Sequence, residues 1–308
     1  LPFLIDLFAV MKLSTFFLLF LAYSAFANFG NHTPFLKSDG TVWATGYNAS
    51  GELGDGTTGT DRLYPVQVFD STTNPITNIS AISSGGAHTV FLKSDGTVWA
   101  TGDNAQGELG DGSTTDNLRA EPVTDSTTNP ITSISAIAAG GNHTVFLKND
   151  GTVWATGYNS QGELGIGNTT QQNRAVQVTD SSGNYITNVS AIAAGYYQTV
   201  FLKSDGTVWA TGQNNNGELG DGSTTNKSRA VQVSDSTTNP ITNVSAIAGG
   251  ANHTVFLKSD GTVWATGHNG NGELGDGTTG TDRLYPVQVT DSTTNPITNI
   301  SAISSGGA

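Results

Sequence analysis

The sequence HTVFLKSDGTVWATG, at His88–Gly102, occurs five times in this chain with small changes. The other copies lie at His32–Gly46, His143–Gly157, Gln198–Gly212 and His253–Gly267. Each copy contains one tryptophan, and these are Trp43, Trp99, Trp154, Trp209 and Trp264, so the spacing is 56 residues once and then 55 residues three times. A fixed period of this length is typical of repeat architectures, in which each unit buries its apolar surface on its neighbours.

Each copy predicts a β-hairpin. The segments HTVFLK and TVWATG are short, rich in Val, Phe, Trp and Thr, and separated by Ser-Asp-Gly. Asp-Gly favours a tight two-residue turn with positive φ, which Gly accepts and Asp tolerates. In the first strand of the hairpin, Val90 and Leu92 would face one side and Phe91 the other. A strand that is apolar on both sides is covered on both sides, so we expect sheets stacked face to face.

A loop and two further strands complete each unit. The loop at Asn104–Asn117 contains the motif N-x-x-G-E-L-G, whose glycines predict positive φ or close packing of the backbone. A strand such as Pro65–Val68 follows, and its proline predicts a position at the edge of a sheet. The segment Asp70–Ile82, DSTTNPITNISAI, then predicts a turn and another strand. A unit of four short strands repeated around an axis is a blade of a β-propeller, an all-β fold.

Composition and charge exclude several classes of function. The chain has 308 residues, no Cys, 12 Lys and Arg, 25 Asp and Glu, and a net charge of −13. Disulfides, thiolate metal sites and cysteine nucleophiles are therefore excluded. A negatively charged surface repels phosphate backbones, so we predict that nucleic acid is not a partner.

The first 27 residues have the pattern of a signal peptide preceded by ten upstream residues. Met11 is the only methionine, Lys12 supplies a positive charge, Leu13–Tyr23 is apolar, and Ala25-Phe26-Ala27 is a small-x-small cleavage motif. An uncleaved membrane anchor is the alternative. We predict cleavage after Ala27, propeller repeats over residues 28–308, no membrane association after cleavage, and a secreted, periplasmic or cell-surface location.

The repeat resembles that of a known family. The motif G-G-x-H-T-V-F-L-K-S-D-G-T-V-W-A-T-G-x-N-x-x-G-E-L-G-D-G extends over essentially all of residues 28–308. It is similar to the repeat of the regulator of chromosome condensation family and to the β-propeller of the beta-lactamase inhibitor protein type II. The resemblance implies a propeller, usually of seven four-stranded blades, and functions that range from nucleotide exchange to inhibition and surface binding. Because this chain is acidic and predicted to be exported, we do not expect the exchange-factor activity.

Carboxylates recur in every unit, as Asp95, Glu108, Asp111 and Asp125 do in the second. A carboxylate pair could hydrolyse glycosides, which makes a secreted carbohydrate-active enzyme the alternative function. A catalytic pair should be unique, however, and these residues are copied. Asp95 belongs to the hairpin turn, and Glu108 could bind loop amides or the Arg that follows it. We predict no catalytic residue and no enzyme activity.

Histidines and oxygen-rich loops are the candidate metal ligands. His32, His88, His143 and His253 occupy equivalent positions, and Gln198 replaces them in the fourth unit. Glutamine can replace a hydrogen-bonding histidine but not readily a base or metal ligand, so a structural role is favoured. The loops Asp55–Asp61, Asp111–Asn117 and Asp276–Asp282 lack the spacing of a Ca²⁺ loop and are typical of solvated turns, with Ca²⁺ as the alternative. We predict no metal and no cofactor.

The positions that differ between units are the candidate binding residues. They are the residues after each ATG, two tyrosines of the fourth unit, and the tyrosines directly before the Pro-containing strands of the first and fifth units: Tyr47, Asp103, Tyr158, Gln213, His268, Tyr196, Tyr197, Tyr64 and Tyr285. We expect them at strand ends on the faces of the propeller, where they would contact a protein or a surface glycan. Neutral variation in solvated loops is the alternative.

The two ends of the chain bear on closure of the ring. The repeat region begins directly before a hairpin and ends after Pro286–Val289 and Ile297–Ile303. These two segments could complete the first blade. A complete chain would favour a closed five-bladed ring. The chain stops within the repeat pattern, so the favoured interpretation is five repeats from a larger ring, for which the family resemblance implies seven blades.

Overall fold

The repeated hairpin forms the two middle strands of each β-sheet. The computed structural model describes residues 30–306, in which nineteen strands form five antiparallel sheets with the strands in chain order. The first sheet is β1 (His32–Leu36), β2 (Val42–Gly46) and β3 (Arg62–Gln67). The second is β4 (Ile79–Ser84), β5 (His88–Lys93), β6 (Val98–Gly102) and β7 (Asn117–Pro122), and the third is β8 (Ile134–Ala139), β9 (His143–Lys148), β10 (Val153–Gly157) and β11 (Gln172–Gln177). The fourth is β12 (Val189–Ala194), β13 (Gln198–Lys203), β14 (Val208–Gly212) and β15 (Lys227–Gln232), and the fifth is β16 (Val244–Gly249), β17 (His253–Lys258), β18 (Val263–Gly267) and β19 (Arg283–Gln288).

This architecture confirms the prediction of a β-propeller with four-stranded blades. The first strands of successive sheets, β4, β8, β12 and β16, contact one another in order and are the innermost strands. The Pro-containing strands β3 and β19 lie at the outer edge of their sheets, as the proline predicted. The residues predicted as a signal peptide, 1–27, lie outside the described part of the chain. Between residues 30 and 306 there is no helix of the length and apolar character needed to cross a membrane.

The hairpin turn differs from the predicted two-residue turn. Lys93 N donates to Thr97 O at 2.9 Å, so the turn between β5 and β6 contains the three residues Ser94, Asp95 and Gly96. Gly96 has a φ of 81°, whereas Asp95 is not among the residues with positive φ. The Asp95 carboxylate instead accepts from Thr97 N at 2.9 Å and from Thr97 Oγ1 at 2.6 Å. This side-chain bond favours a type I turn closed by a left-handed glycine, which needs one residue more.

The core lies between successive sheets. Phe146, on β9 of the third sheet, is fully buried in a cluster with Val90, Leu92 and Leu109 of the second sheet. Trp154 packs against the same cluster from its neighbouring strand and is half-buried. Equivalent clusters join the other neighbouring sheets. The expectation of strands covered on both sides is therefore confirmed for the second, third and fourth sheets, which have a neighbouring sheet on each side.

Buried histidines link each sheet to the next. His88 Nε2 lies 3.0 Å from Thr144 Oγ1 of the third sheet, and Thr144 Oγ1 donates to Glu108 O at 2.8 Å. Because the threonine gives its only proton to Glu108 O, the histidine must donate from Nε2. Burial lowers the pKa of His88 to about 3, so the ring is neutral. In the fourth sheet Gln198 Nε2 donates to Gly250 O at 3.0 Å, which agrees with a structural role for this position.

The predicted completion of the first blade by the last two segments is wrong for the described residues. Strand β19 contains most of the first segment and pairs with β18 in the fifth sheet, and residues 297–306 form no strand. The first sheet has three strands, and no described sheet covers the side that faces a preceding sheet elsewhere. Phe35 is therefore 43% exposed, whereas its equivalent Phe91 is fully buried. The described residues form an open arc of blades.

Candidate functional site: the loop face

Two kinds of connection share one face of the propeller. The turn between the first and second strands of a sheet lies beside the loop that follows the third strand, as the bond from Asp103 N to Ala87 O at 2.8 Å shows. We call this side the loop face. Seven of the predicted binding residues lie on it, and they are Tyr47, Asp103, Tyr158, Tyr196, Tyr197, Gln213 and His268.

A repeated hydrogen-bond frame supports the loop face. Asn104 is buried, and its Oδ1 accepts from Leu109 N at 3.1 Å while its Nδ2 donates to Asp111 Oδ1 at 3.1 Å. Gly107 has a φ of 81°, and a Cβ there would lie 2.6 Å from the Cα of Asn173 in the next sheet. The prediction that these glycines mark positive φ and close packing is confirmed. The variable residues are thus held on a rigid support.

A buried glutamate lies under the loop face in most sheets. Glu108 Oε2 accepts from Gln106 N at 2.8 Å, so of the two partners predicted for Glu108 the loop amide is correct. The recurring arginine binds elsewhere, and in the first sheet Arg62 forms an ion pair with Asp55 at 2.7 Å. Burial is the main cause that raises the pKa of Glu108 to about 8 and of Glu163 to about 7.

The sequence did not single out these glutamates as part of a binding surface. Their position between Gly and Leu in the N-x-x-G-E-L-G motif was the available indication of burial. Within residues 30–306 no group of three or more acidic or histidine side chains has an arrangement suited to a metal ion.

Three tyrosines form an aromatic cluster on the loop face. The ring centroids of Tyr196 and Tyr197 are 4.6 Å apart in an edge-to-face arrangement, and those of Tyr158 and Tyr197 are 6.1 Å apart. Burial raises the pKa of Tyr197, and the neighbouring tyrosines and Glu163 add to the effect. The structure therefore brings together residues of the third and fourth sheets that are 38 residues or more apart in the sequence.

The other variable residues on this face contact polar groups of their own sheets. Gln213 Nε2 donates to Glu218 Oε1 at 3.0 Å. His268 Nδ1 lies 3.1 Å from Asp282 Oδ1, and His268 is half-buried. Asp103 accepts from Ala105 N at 3.1 Å.

Tyr64 and Tyr285 do not lie at strand ends, so the prediction of their position is wrong. Each is inside an outer strand, β3 or β19. Tyr285 lies against Gly222 of the preceding sheet, at the position where a side chain of residue 222 would be. Tyr64 is 82% exposed because no described sheet precedes the first. Strand pairing, which the local sequence does not show, places these two residues inside strands and not in loops.

Comparison with known proteins agrees with this architecture. The RCC1-like domain family matches residues 19–307. The ultraviolet-B receptor UVR8 of Arabidopsis thaliana is 30% identical over 258 residues, which are 83% of this chain and 55% of that protein. The chain therefore spans about half the length of this curated relative.

Solved structures give the same fold. Human WBSCR16 superposes with a TM-score of 0.70 at 20% identity, covering 85% of this chain and 65% of that one. Prp20p of Saccharomyces cerevisiae superposes with a TM-score of 0.66 at 22% identity, covering 86% of this chain and 62% of that one.

Proposed function

We propose that this chain, which belongs to the RCC1-like domain family, is a module that binds another protein through its loop face. The observation that carries the proposal is the contrast between an invariant frame and variable residues on one surface. Asn, Gly, Glu and Leu of the loop motif recur in every sheet, whereas the residue after each ATG is Tyr, Asp, Tyr, Gln or His. A rigid support with variable side chains suits recognition of one partner.

The aromatic cluster is the strongest single contact region of the loop face. Tyr158, Tyr196 and Tyr197 are each half-buried, so they offer apolar area at little cost in side-chain entropy and also hydroxyl groups for hydrogen bonds. Among similar structures, yeast Prp20p has binding properties toward Gsp1p and histones. A protein partner therefore agrees with what is known of a protein with this fold.

Affinity capture with two forms of the chain tests the proposal. The variant Y196G/Y197N copies Gly141 and Asn142 of the third sheet, so the turn keeps a sequence that this fold already accommodates. Both forms would be used to capture proteins from the culture of the source organism, and each captured protein would then be purified and titrated against both forms by calorimetry. We expect one protein to bind the original chain at least about tenfold more tightly, about 1.4 kcal/mol. Equal binding to both forms, or no specific complex with either, would overturn the proposal.

A surface glycan is the second candidate, and the tyrosine cluster is the observation that favours it. Aromatic side chains with nearby polar groups also line small-molecule sites. Removing glycans from the captured material enzymatically separates the two candidates, because loss of binding after this treatment would favour the glycan.

The proposed role is binding and not catalysis. The recurring carboxylates have structural partners, as Asp95 has in its turn and Asp55 has in Arg62. The net charge of −13 disfavours a nucleic-acid partner and, with predicted export, the exchange-factor activity. We propose a secreted or surface location on the basis of the signal-peptide pattern. If this is correct, N-terminal sequencing of the secreted protein should begin at Asn28, and an intact sequence of residues 1–27 would contradict it.

A further inference from the structure

Three residues of each unit come together at an equivalent place on the loop face. They are the residue after the third strand, the loop glutamate and the residue that ends the loop. In the fifth sheet a basic side chain occupies this place. His268 Nδ1 lies 3.1 Å from Asp282 Oδ1, and its Nε2 lies 3.9 Å from Glu273 Oε1. An imidazole thus lies between two carboxylates.

In the second sheet the same three positions are all acidic. They are Asp103, Glu108 and Asp116, in place of His268, Glu273 and Asp282. We call these three residues the acidic recess. Backbone amides place each carboxylate: Ala105 N donates to Asp103 Oδ1 at 3.1 Å, Gln106 N to Glu108 Oε2 at 2.8 Å, and Asn104 N to Asp116 Oδ1 at 3.0 Å.

The acidic recess contains an unused acceptor. Glu108 is 1% exposed, and its Oε1, like that of Glu52 and Glu163, has no hydrogen-bond partner in the described chain. Only in the second unit are the other two positions both acidic as well. A buried carboxylate oxygen without a partner carries a cost that a donor from a ligand would remove. Asp103 is half-buried and Asp116 is exposed, so the rim of the recess is open to solvent.

The acidic recess has no basic partner within the described residues. Within residues 30–306 none of the three carboxylates forms an ion pair with Lys or Arg. Glu52 of the first sheet adds a fourth nearby carboxylate, whose charge interacts with Asp103 and Asp116. Burial and the charge of Asp116 raise the pKa of Asp103, which agrees with carboxylates held together without a counter-ion.

We propose that the acidic recess binds a lysine or arginine side chain of the protein partner, at the place that the His268 imidazole occupies in the fifth sheet. This inference rests on the proposed function, since it names the chemistry of the partner. A cationic donor would pair with the carboxylates of Asp103 and Asp116 at the rim. It would also favour the ionised form of Glu108, whose pKa burial raises to about 8, and the Oε1 of that form is the acceptor left without a partner. The partial burial of the recess makes such a pair stronger than one formed on the open surface.

The test is a titration followed by nuclear magnetic resonance on the ¹⁵N-labelled chain. The probes are N-acetyl-arginine amide and N-acetyl-lysine amide, and N-acetyl-glutamine amide is the neutral control. We expect one or both cationic probes to produce saturable shifts at the amides of Asn104, Ala105 and Gln106, which hydrogen-bond to the three carboxylates. The two cationic probes distinguish lysine from arginine.

Two variants are compared: one changes the acidic recess, and the other is a control that changes the same type of residue elsewhere. D103H places in the second sheet the side chain that fills the fifth sheet, so it should weaken binding of the cationic probes at least about tenfold. D150N removes one acidic charge from the hairpin turn of the third sheet, on the opposite face, and should bind as the original chain does. The amide spectrum of each variant shows whether it is folded.

Three results would overturn the inference. These are equal shifts with the neutral probe, unchanged binding in D103H, or saturable binding of CaCl₂ at lower concentration than either amino-acid probe, which would identify a metal site.

The experiments distinguish failure of this inference from failure of the proposed function. If the recess does not bind the cationic probes but Y196G/Y197N loses its partner, protein binding stands and the lysine or arginine inference falls. If the recess binds the probes and no partner is captured, the proposed function falls.

Discussion

Replacing the same phenylalanine in two sheets should have very different effects on stability. Phe146 is fully buried between the second and third sheets, whereas Phe35 occupies the equivalent position in the first sheet and is 43% exposed. Phe146→Ala removes a buried ring and leaves a cavity in a packed cluster, so it should lower the free energy of unfolding by about 3–5 kcal/mol. Phe35→Ala loses just over half of the transfer free energy of a phenylalanine and leaves no closed cavity, so we expect about 1–1.5 kcal/mol.

Urea unfolding followed by tryptophan fluorescence measures both losses. Phe201→Ala, in the fourth sheet, is the control for position along the array and should match Phe146→Ala, because Phe201 is also fully buried. Circular dichroism confirms that each variant starts from the same folded state. Equal losses for Phe35→Ala and Phe146→Ala would refute the conclusion that the first sheet is uncovered.

Three further predictions concern the buried histidine, the loop glycines and the tryptophan of the repeat. Burial lowers the pKa of His88 to about 3 from 6.5, so the stability that this residue contributes is complete above pH 6.5 and is lost as the pH falls from 6.5 toward 3. The variant H88Q, which copies Gln198, should therefore lose less Tm than the original chain between about pH 6.5 and pH 4, and an equal loss in thermal scans would count against the buried neutral ring. Gly107→Ala should destabilise by roughly 2–4 kcal/mol and Gly280→Ala by about 1 kcal/mol in urea unfolding, because both glycines have positive φ but only Gly107 faces a neighbouring backbone atom. Trp99→Ala should cost about 2–3 kcal/mol, since its ring is half-buried between sheets, and a loss under about 1 kcal/mol in the same assay would indicate a surface role.

Much of the blade could be predicted from the sequence because its determinants are local. Alternation of Val90, Phe91 and Leu92 determines which side chains point to each face of a strand, and a change of one residue in register would reverse it. The Asp-Gly pair and the prolines of the outer strands act through backbone dihedrals and missing donors, which depend on few neighbours. Because the unit is repeated, a prediction made for one unit applies to the other units as well.

The candidate binding surface could be predicted only in part. Variation between repeats identified Asp103, Tyr158 and Tyr197, and it could not show that Tyr158 and Tyr197 lie 6.1 Å apart, because they belong to different sheets. The same comparison included Tyr64 and Tyr285, which strand pairing places inside outer strands. Differences between repeats show which positions are free to vary and do not show which surface they share.

The sequence by itself determined the hairpin, the four-stranded unit and the structural role of the repeated histidines, because these depend on side-chain alternation, turn residues and equivalence between copies. Only the tertiary structure decided that β19 remains in the fifth sheet and that the first sheet has an uncovered side. It alone also showed that Glu108 is buried and lies close enough to Asp103 and Asp116 for their charges to raise its pKa. These features depend on the packing of each sheet on the next and on how loops from separate strands meet, and such long-range contacts are not encoded in the spacing of any single repeat.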